Sequence, residues 1–290
     1  MSMDVLHFTR YFCIWIGEPS DHLVARRVIW RGRITTLDEF QGLTREDLLS
    51  MHGIGPVLAD RAIALQKRAA AKLTEVHQQP DAAQIERDLL EVLDTYPWRE
   101  PPYHTRAHMR GVWDIAKDIW ETEKSTVGKN ETWTYIALMT ACLLHDIGHS
   151  GGKHPDSDNV MAARDIWWKL SCLPQFDYPR EVYDLVDRAI ACTEFPAVLK
   201  TTNVVEKILC DADVLYTCRS HRPELVLEDL RQEMEVARKR CVDHEEMLAN
   251  QELFIEHVTF HTARGLAIWQ EHATTYLEEM KAYVAARICT

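Results

Sequence analysis

Glycine and proline are scarce in this chain, 11 of each in 290 residues. A sheet of short strands needs far more of that turn chemistry, and runs of alternating β-branched residues between turns are missing as well. Long apolar runs are lacking too. The most apolar stretch, residues 136–144, falls well short of the ~20 residues that cross a bilayer. No basic-then-apolar leader with a small-residue cleavage site opens the chain, so cytoplasmic residence without a membrane partner is the expectation. The eight cysteines form no C-x-x-C pair, and most lie in apolar stretches, which suits reduced core thiols better than zinc knuckles or disulfides. Positive charge is in deficit. A net charge of −12 argues against a protein-wide nucleic-acid groove.

What remains is ordinary globular composition, 46% hydrophobic and 27% charged. Apolar residues recur at three- and four-residue spacing over 82–94, 104–123, 132–144, 160–170, 180–192, 204–218, 224–247 and 253–286. Pro97, Pro101, Pro102, Gly128, residues 148–155, Pro174, Pro179, Pro196 and Pro223 separate them. The expected fold class is all-α, a helical bundle without a sheet. Residues 20–72 carry nine basic against six acidic residues, while the chain beyond them is strongly acidic. This asymmetry divides the chain into an N-terminal module, 1–78, and a second domain, 79–290, with Gln78-Gln79-Pro80 as the linker.

Within the first module, residues 47–68 read DLLSMHGIGPVLADRAIALQKR. Helical spacing on both sides of Gly53-Ile54-Gly55 predicts two short helices around a tight turn that uses glycine's positive φ. The pattern resembles a helix-hairpin-helix motif, with Ala59 and Ile63 as packing positions. That resemblance implies a nucleic-acid phosphate contact at the amides of Gly53 and Gly55. The other reading is a packing or oligomerisation module, with a homo-oligomer as its partner. Weak local basicity and a single motif favour the second reading.

The chemistry-bearing residues lie further on. PPYHTRAHMRGVWDIA places His104 and His108 four apart, on one side of a helix. ALMTACLLHDIGHSGG runs an apolar helix into His145-Asp146, with His149 after it. EKILCDADVLYT sets Asp213 in another apolar helix, where an unpaired carboxylate would be costly. Taken singly, each of these is an ordinary cap or core residue. Together, two imidazoles and two carboxylates from separate apolar helices make the mixed donor set of zinc or another first-row divalent ion.

This arrangement resembles the HD-domain metal-dependent phosphohydrolases, and in detail the class I 3′,5′-cyclic-nucleotide phosphodiesterases, over about residues 97–270. Tyr103-His104-Thr105 with His108 matches one motif of that group, and His145-Asp146, His149 and Gly151 match its His-Asp-x-x-His-x-Gly motif. Ala212-Asp213 matches the late metal ligand, while residues 191–194 (ACTE) stand where that group has Ala-Thr-Asp. Near the C-terminus, Gln251 and Phe254 match its purine-binding Gln-x-x-Phe. Four departures are visible: Thr105 for Asn, Gly148 for Asp, a Gly151–Asn159 stretch without that group's usual spacing to an asparagine, and no recognisable His-rich segment after it.

The resemblance implies an HD/phosphodiesterase-like bundle that hydrolyses cAMP, cGMP or both to the 5′-monophosphate. It implies His108, His145, Asp146 and Asp213 as ligands of one tightly held ion, expected to be Zn2+. A second ion, Mg2+ or Mn2+, is expected beside Asp146. His104 is the expected general acid, oriented by Glu194 or another acid, and His149 acts on water or phosphate. Tyr103, Gln251 and Phe254 are expected at the substrate. The alternatives are an HD-family nucleotide or nucleic-acid phosphohydrolase, a di-iron oxygenase on the same scaffold, and a non-catalytic nucleic-acid-binding adaptor. The absence of histidine between His154 and His221 counts against the oxygenase.

Overall fold

The structure, a computed structural model, describes residues 24, 27–29, 31–34, 37–75, 80–176, 178–196, 199–219 and 222–288. Among them every regular element is helical and no strand occurs. The chain divides into two compact units, Met1–Gln79 and Pro80–Thr290. Gln78 and Gln79, read above as linker, lie outside the described residues, as do Cys13 and Cys289.

The first unit contains α1 (Leu37–Gly42), α2 (Arg45–Ser50) and α3 (Pro56–Glu75). Thr44 and Asp47 cap α2 reciprocally: the Thr44 amide donates to Asp47 Oδ2 at 2.9 Å, and the Asp47 amide donates to Thr44 Oγ1 at 3.2 Å. The turn into α3 carries Gly53 at φ +81°, a backbone region that costs glycine nothing. Ile54, Ala59, Ala62 and Leu65 are buried with Phe40 and Leu48, and Ile63 packs at the edge of this small core. Gln66 extends Nε2 to the carbonyls of Phe40 and Leu43, at 2.6 and 2.9 Å, and ties α3 back to the end of α1. Gly53 and Gly55 are exposed at the turn.

The second unit runs α4 (Ala82–Thr95), α5 (Arg106–Glu123), α6 (Glu131–Leu144), α7 (Asp156–Leu170), α8 (Arg180–Ala191), α9 (Val204–Arg219), α10 (Pro223–Arg238), α11 (His244–His257) and α12 (Ala263–Ile288). Helix α6 is apolar on all sides, and every residue from Ile136 to Leu144 is buried. Such a helix can only sit at the centre, and α4, α5, α8 and α9 pack around it. Each buried Leu, Ile or Met there contributes about 1.5–3 kcal/mol. The C-terminal end of this core helix therefore delivers the next residues, His145 and Asp146, to the middle of the bundle.

Two breaks escaped the periodicity. The run expected over 224–247 is divided between α10 and α11, and the run over 253–286 between α11 and α12. Lys239 ends α10 in the left-handed region at φ 52°, and Asp243 starts α11 by accepting the Glu246 amide at 2.7 Å. The second break is held from a distance. Asp211 on α9 accepts the amides of His261 and Thr262, both at 2.9 Å, and the Thr262 hydroxyl at 2.7 Å. Those amides are therefore spent on a partner fifty residues away. Six cysteines, among them Cys142, Cys192 and Cys210, are free thiols. No helix among the described residues is long and apolar enough to cross a membrane.

Replacing Asp211 with Ala strands the buried amide and hydroxyl of Thr262 and releases the part-buried His261 amide. Urea unfolding should register a loss of about 3 kcal/mol, and an unchanged midpoint would remove Asp211 from the account of the α11–α12 break.

Candidate metal centre

Three elements bring the donors together. Helix α5 starts at Arg106 because Thr105 is its N-cap, accepting the His108 amide on Oγ1 at 3.2 Å. The threonine that departs from the phosphodiesterase motif thus does the capping. His104 consequently precedes the helix instead of sharing a face with His108. His145 is the C-cap of α6, and Asp146 follows in the turn. Asp213 projects from α9.

His108 Nε2 lies 3.2 Å from Asp146 Oδ2, 3.1 Å from Asp213 Oδ1 and 3.3 Å from His145 Nε2. His145 Nε2 lies 3.1 Å from Asp146 Oδ2 and 3.5 Å from Asp213 Oδ1. Donor atoms bound about 2.1 Å from one cation are about 3.4 Å apart in a tetrahedron and about 3.0 Å apart as octahedral neighbours. The observed separations fall in that range. The tautomer agrees. His145 Nδ1 donates to the Cys142 carbonyl at 2.9 Å, which leaves the Nε2 lone pair facing His108 and both carboxylates. Lone pairs converging in this way repel unless a proton or a metal ion sits among them. The residues therefore fit a divalent cation.

Without the ion, protons do the balancing. Burial alone would lower both imidazoles. Hydrogen bonds and charge from Asp146 and Asp213 outweigh it, holding His108 above its ordinary range and His145 well above. Burial alone would likewise raise the two carboxyls. The positive charge of His145 dominates the opposing effects and keeps both Asp146 and Asp213 below the usual carboxylate range.

A second group adjoins the first. His104, Asp146 and His149 bring ligand atoms within 4.8 Å of one another, and the His104 and His149 rings stack at 3.7 Å. The acid that holds His104 is Glu233 on α10, where Glu194 was the residue suggested by the motif. Glu233 Oε2 takes His104 Nδ1 at 2.7 Å, while Oε1 accepts the amides of Tyr103 and His104 at 2.7 and 3.1 Å. Burial would raise this carboxyl, but His104 and the two amides hold it below its ordinary value. Gly152, at φ +79°, lets the loop touch α10 at this residue: a Cβ there would stand 2.3 Å from the Glu233 carbonyl oxygen. Asn159 reaches His149 Nε2 at 2.9 Å and accepts the Ser150 amide at 3.0 Å, so an asparagine meets this histidine although the usual spacing from Gly151 is lacking.

Tyr103 is buried, with its ring against His104, His108 and Tyr216, behind the ligands instead of open to a substrate. Gln251 is buried on α11, and its Oε1 accepts the Tyr276 hydroxyl at 3.4 Å. The Phe254 ring meets exposed Phe195 at 6.1 Å, and the Phe195 amide is bonded to Asp156, whose other oxygen lies 3.8 Å from His149 Nε2. Among the described residues no hydrogen bond or ring contact joins Gln251 or Phe254 to the four donors.

The HD-domain family model matches residues 105–218. Over that span the chain is similar to the HD domain, an all-α fold whose members are typically metal-dependent hydrolases, and four residues within it form a His/Asp cluster that could hold a divalent ion. The matched span holds His108, His145, Asp146, His149 and Asp213 and leaves His104, Glu233, Gln251 and Phe254 outside. No curated protein and no solved structure matches the chain.

Because His108 and His145 hold protons that a cation must displace, Zn2+ or Mn2+ binding should release about one to two protons near neutral pH and tighten as pH rises. Calorimetry in buffers of different ionisation enthalpy measures both. An affinity independent of pH would remove the imidazoles from the ligand set.

Proposed function

We propose that this HD domain is a phosphodiesterase that opens the 3′,5′-cyclic phosphate of a purine nucleotide, cAMP or cGMP, to the 5′-monophosphate. The observation that carries the reading is an acid–carboxylate dyad, His104–Glu233, set against a four-donor metal cluster. Ester cleavage at phosphorus needs a nucleophile, compensation for charge on the phosphoryl oxygens and a proton for the departing alkoxide.

Divalent ions, when bound, supply hydroxide at neutral pH and offset phosphoryl charge. His108, His145, Asp146 and Asp213 would hold the first, read as Zn2+. A second, Mg2+ or Mn2+, would sit on the Asp146 side that His104 and His149 share. His104 delivers the proton. Glu233 fixes its Nδ1 by hydrogen bond, so Nε2 is the atom that protonates the leaving O3′, and the Tyr103 and His104 amides keep the carboxylate from swinging away. His149 stacks on His104 and is held by Asn159, which keeps the acid's ring in plane. Gln251 and Phe254, three apart on α11, present an amide and an aromatic face from one side of the helix, as a purine requires. In the first unit, Arg45 is engaged by Asp60 at 2.7 Å, so the turn at Gly53 and Gly55 is read as a packing or self-association contact before a phosphate contact.

The experiment is a hydrolysis screen of cAMP, cGMP, cyclic dinucleotides, dNTPs and single-stranded oligonucleotides with Zn2+, Mg2+ and Mn2+. Release of a 5′-monophosphate from a cyclic mononucleotide supports the reading. Turnover confined to dNTPs or oligonucleotides replaces it with a nucleotide or nucleic-acid phosphohydrolase. Asp146→Ala should lose bound metal and turnover together. His104→Ala should keep the metal and lose about 10²–10⁴-fold in kcat, and Glu233→Gln should lower kcat while the metal stays bound. A His104→Ala enzyme at full speed would overturn the acid assignment.

A further inference from the structure

A metal-ligating histidine almost always donates its second ring N–H to a carboxylate, carbonyl or water, which fixes its tautomer and tilt. His145 follows this pattern through the Cys142 carbonyl. His108 does not: it is fully buried, and its Nδ1 has no hydrogen-bond partner. Two aromatic rings pack on this imidazole. Tyr216 lies perpendicular to the imidazole, at 90° and 4.6 Å between ring centres, and Tyr103 lies tilted at 5.0 Å.

Tyr216 reaches this place because residue 111 is glycine. A Cβ on Gly111 would stand 2.2 Å from Tyr216 Cε2 and 2.6 Å from Cδ2, a clash that stiff aromatic atoms packed between two helices cannot relieve. Gly111 is three residues beyond His108 on α5, and Tyr216 is three beyond Asp213 on α9, so each lies one turn past a ligand. The glycine interrupts no helix and caps none. What it provides is room for the ring.

We propose that Tyr216, admitted by Gly111, is a positioning residue for the metal ligand His108, its ring standing in for the missing hydrogen bond. A T-shaped contact sets the electron-poor edge of one ring against the face of the other, and an N–H directed at an aromatic face is a weak but directional bond. The imidazole is held in orientation without a carboxylate partner to make it more basic. The inference rests on the reading that the four-donor cluster holds an ion.

Co2+ added to the metal-free protein tests it through visible absorption, which reports ligand number and geometry without turnover. Tyr216→Leu removes the ring, and Tyr216→Phe keeps it. Tyr216→Leu should weaken Co2+ binding about 10–100-fold and change the band pattern, Tyr216→Phe should bind within about threefold of wild type, and Gly111→Ala should reproduce the leucine spectrum. Wild-type affinity and spectrum in Tyr216→Leu would overturn the proposal. Equal losses in the leucine and phenylalanine variants would also do so, because the hydroxyl would then be the acting group. A wild-type protein that binds no Co2+ overturns the metal reading itself. The zinc-loaded wild type gives a readout that needs no variant: the His108 Nδ1 proton should resonate upfield of the His145 Nδ1 proton, shifted by the ring current. A shift at or downfield of His145 would place a hydrogen-bond acceptor on Nδ1 and overturn the ring as its partner.

Discussion

The rest of the second unit depends on a charge problem at the centre of the bundle. Two carboxylates and two imidazoles are forced within about one ligand diameter of one another, nearly out of water, where isolated charges cost several kcal/mol each. Nothing in the apolar packing around α6 requires these residues, and hydrophobic side chains of similar volume would be easier to bury there. The cluster makes physical sense as a seat for a cation. The apolar helix that ends at His145, the capped start of α5 and the anchored α9 all fix where the donors arrive.

From that constraint the neighbouring features follow. On the proposed reading, an acid that protonates a leaving group would have to sit beside the ions without being captured by them, and Glu233 engages the Nδ1 edge of His104. The loop after Asp146 must then approach α10 closely, and it does so at a residue with no side chain. Asn159 ties the same loop back to His149 by a hydrogen bond, and Asp156 stands 3.8 Å from that imidazole.

Helical periodicity made the all-α fold legible, and the four donors were legible because histidine and aspartate are conspicuous at the ends and interiors of apolar helices. Glu233 was not. It lies in an acidic helix, ELVLEDLRQEMEVAR, whose carboxylates read as a solvated face, and only the folded chain shows that this one is buried. Gly111 and Tyr216 were equally silent, since a glycine within a helix carries no signal until its neighbour is seen. The break at 239–243 had a local signature, Asp243 followed three residues later by Glu246, which the apolar period overrode. The break before α12 had none, because its cause is Asp211, half a hundred residues away. Thr105 taught the reverse lesson: a mismatch to a motif proved to be an equivalent cap.

The left-handed residue at Lys239 has an effect beyond ending a helix. It makes the segment carrying Glu233 and the segment carrying Gln251 and Phe254 two separate helices joined by a short bend. Alterations on one side of that bend need not disturb the other. If Gln251 and Phe254 receive the base as proposed, recognition and bond-breaking would sit on different helices, and one could be retuned without the other.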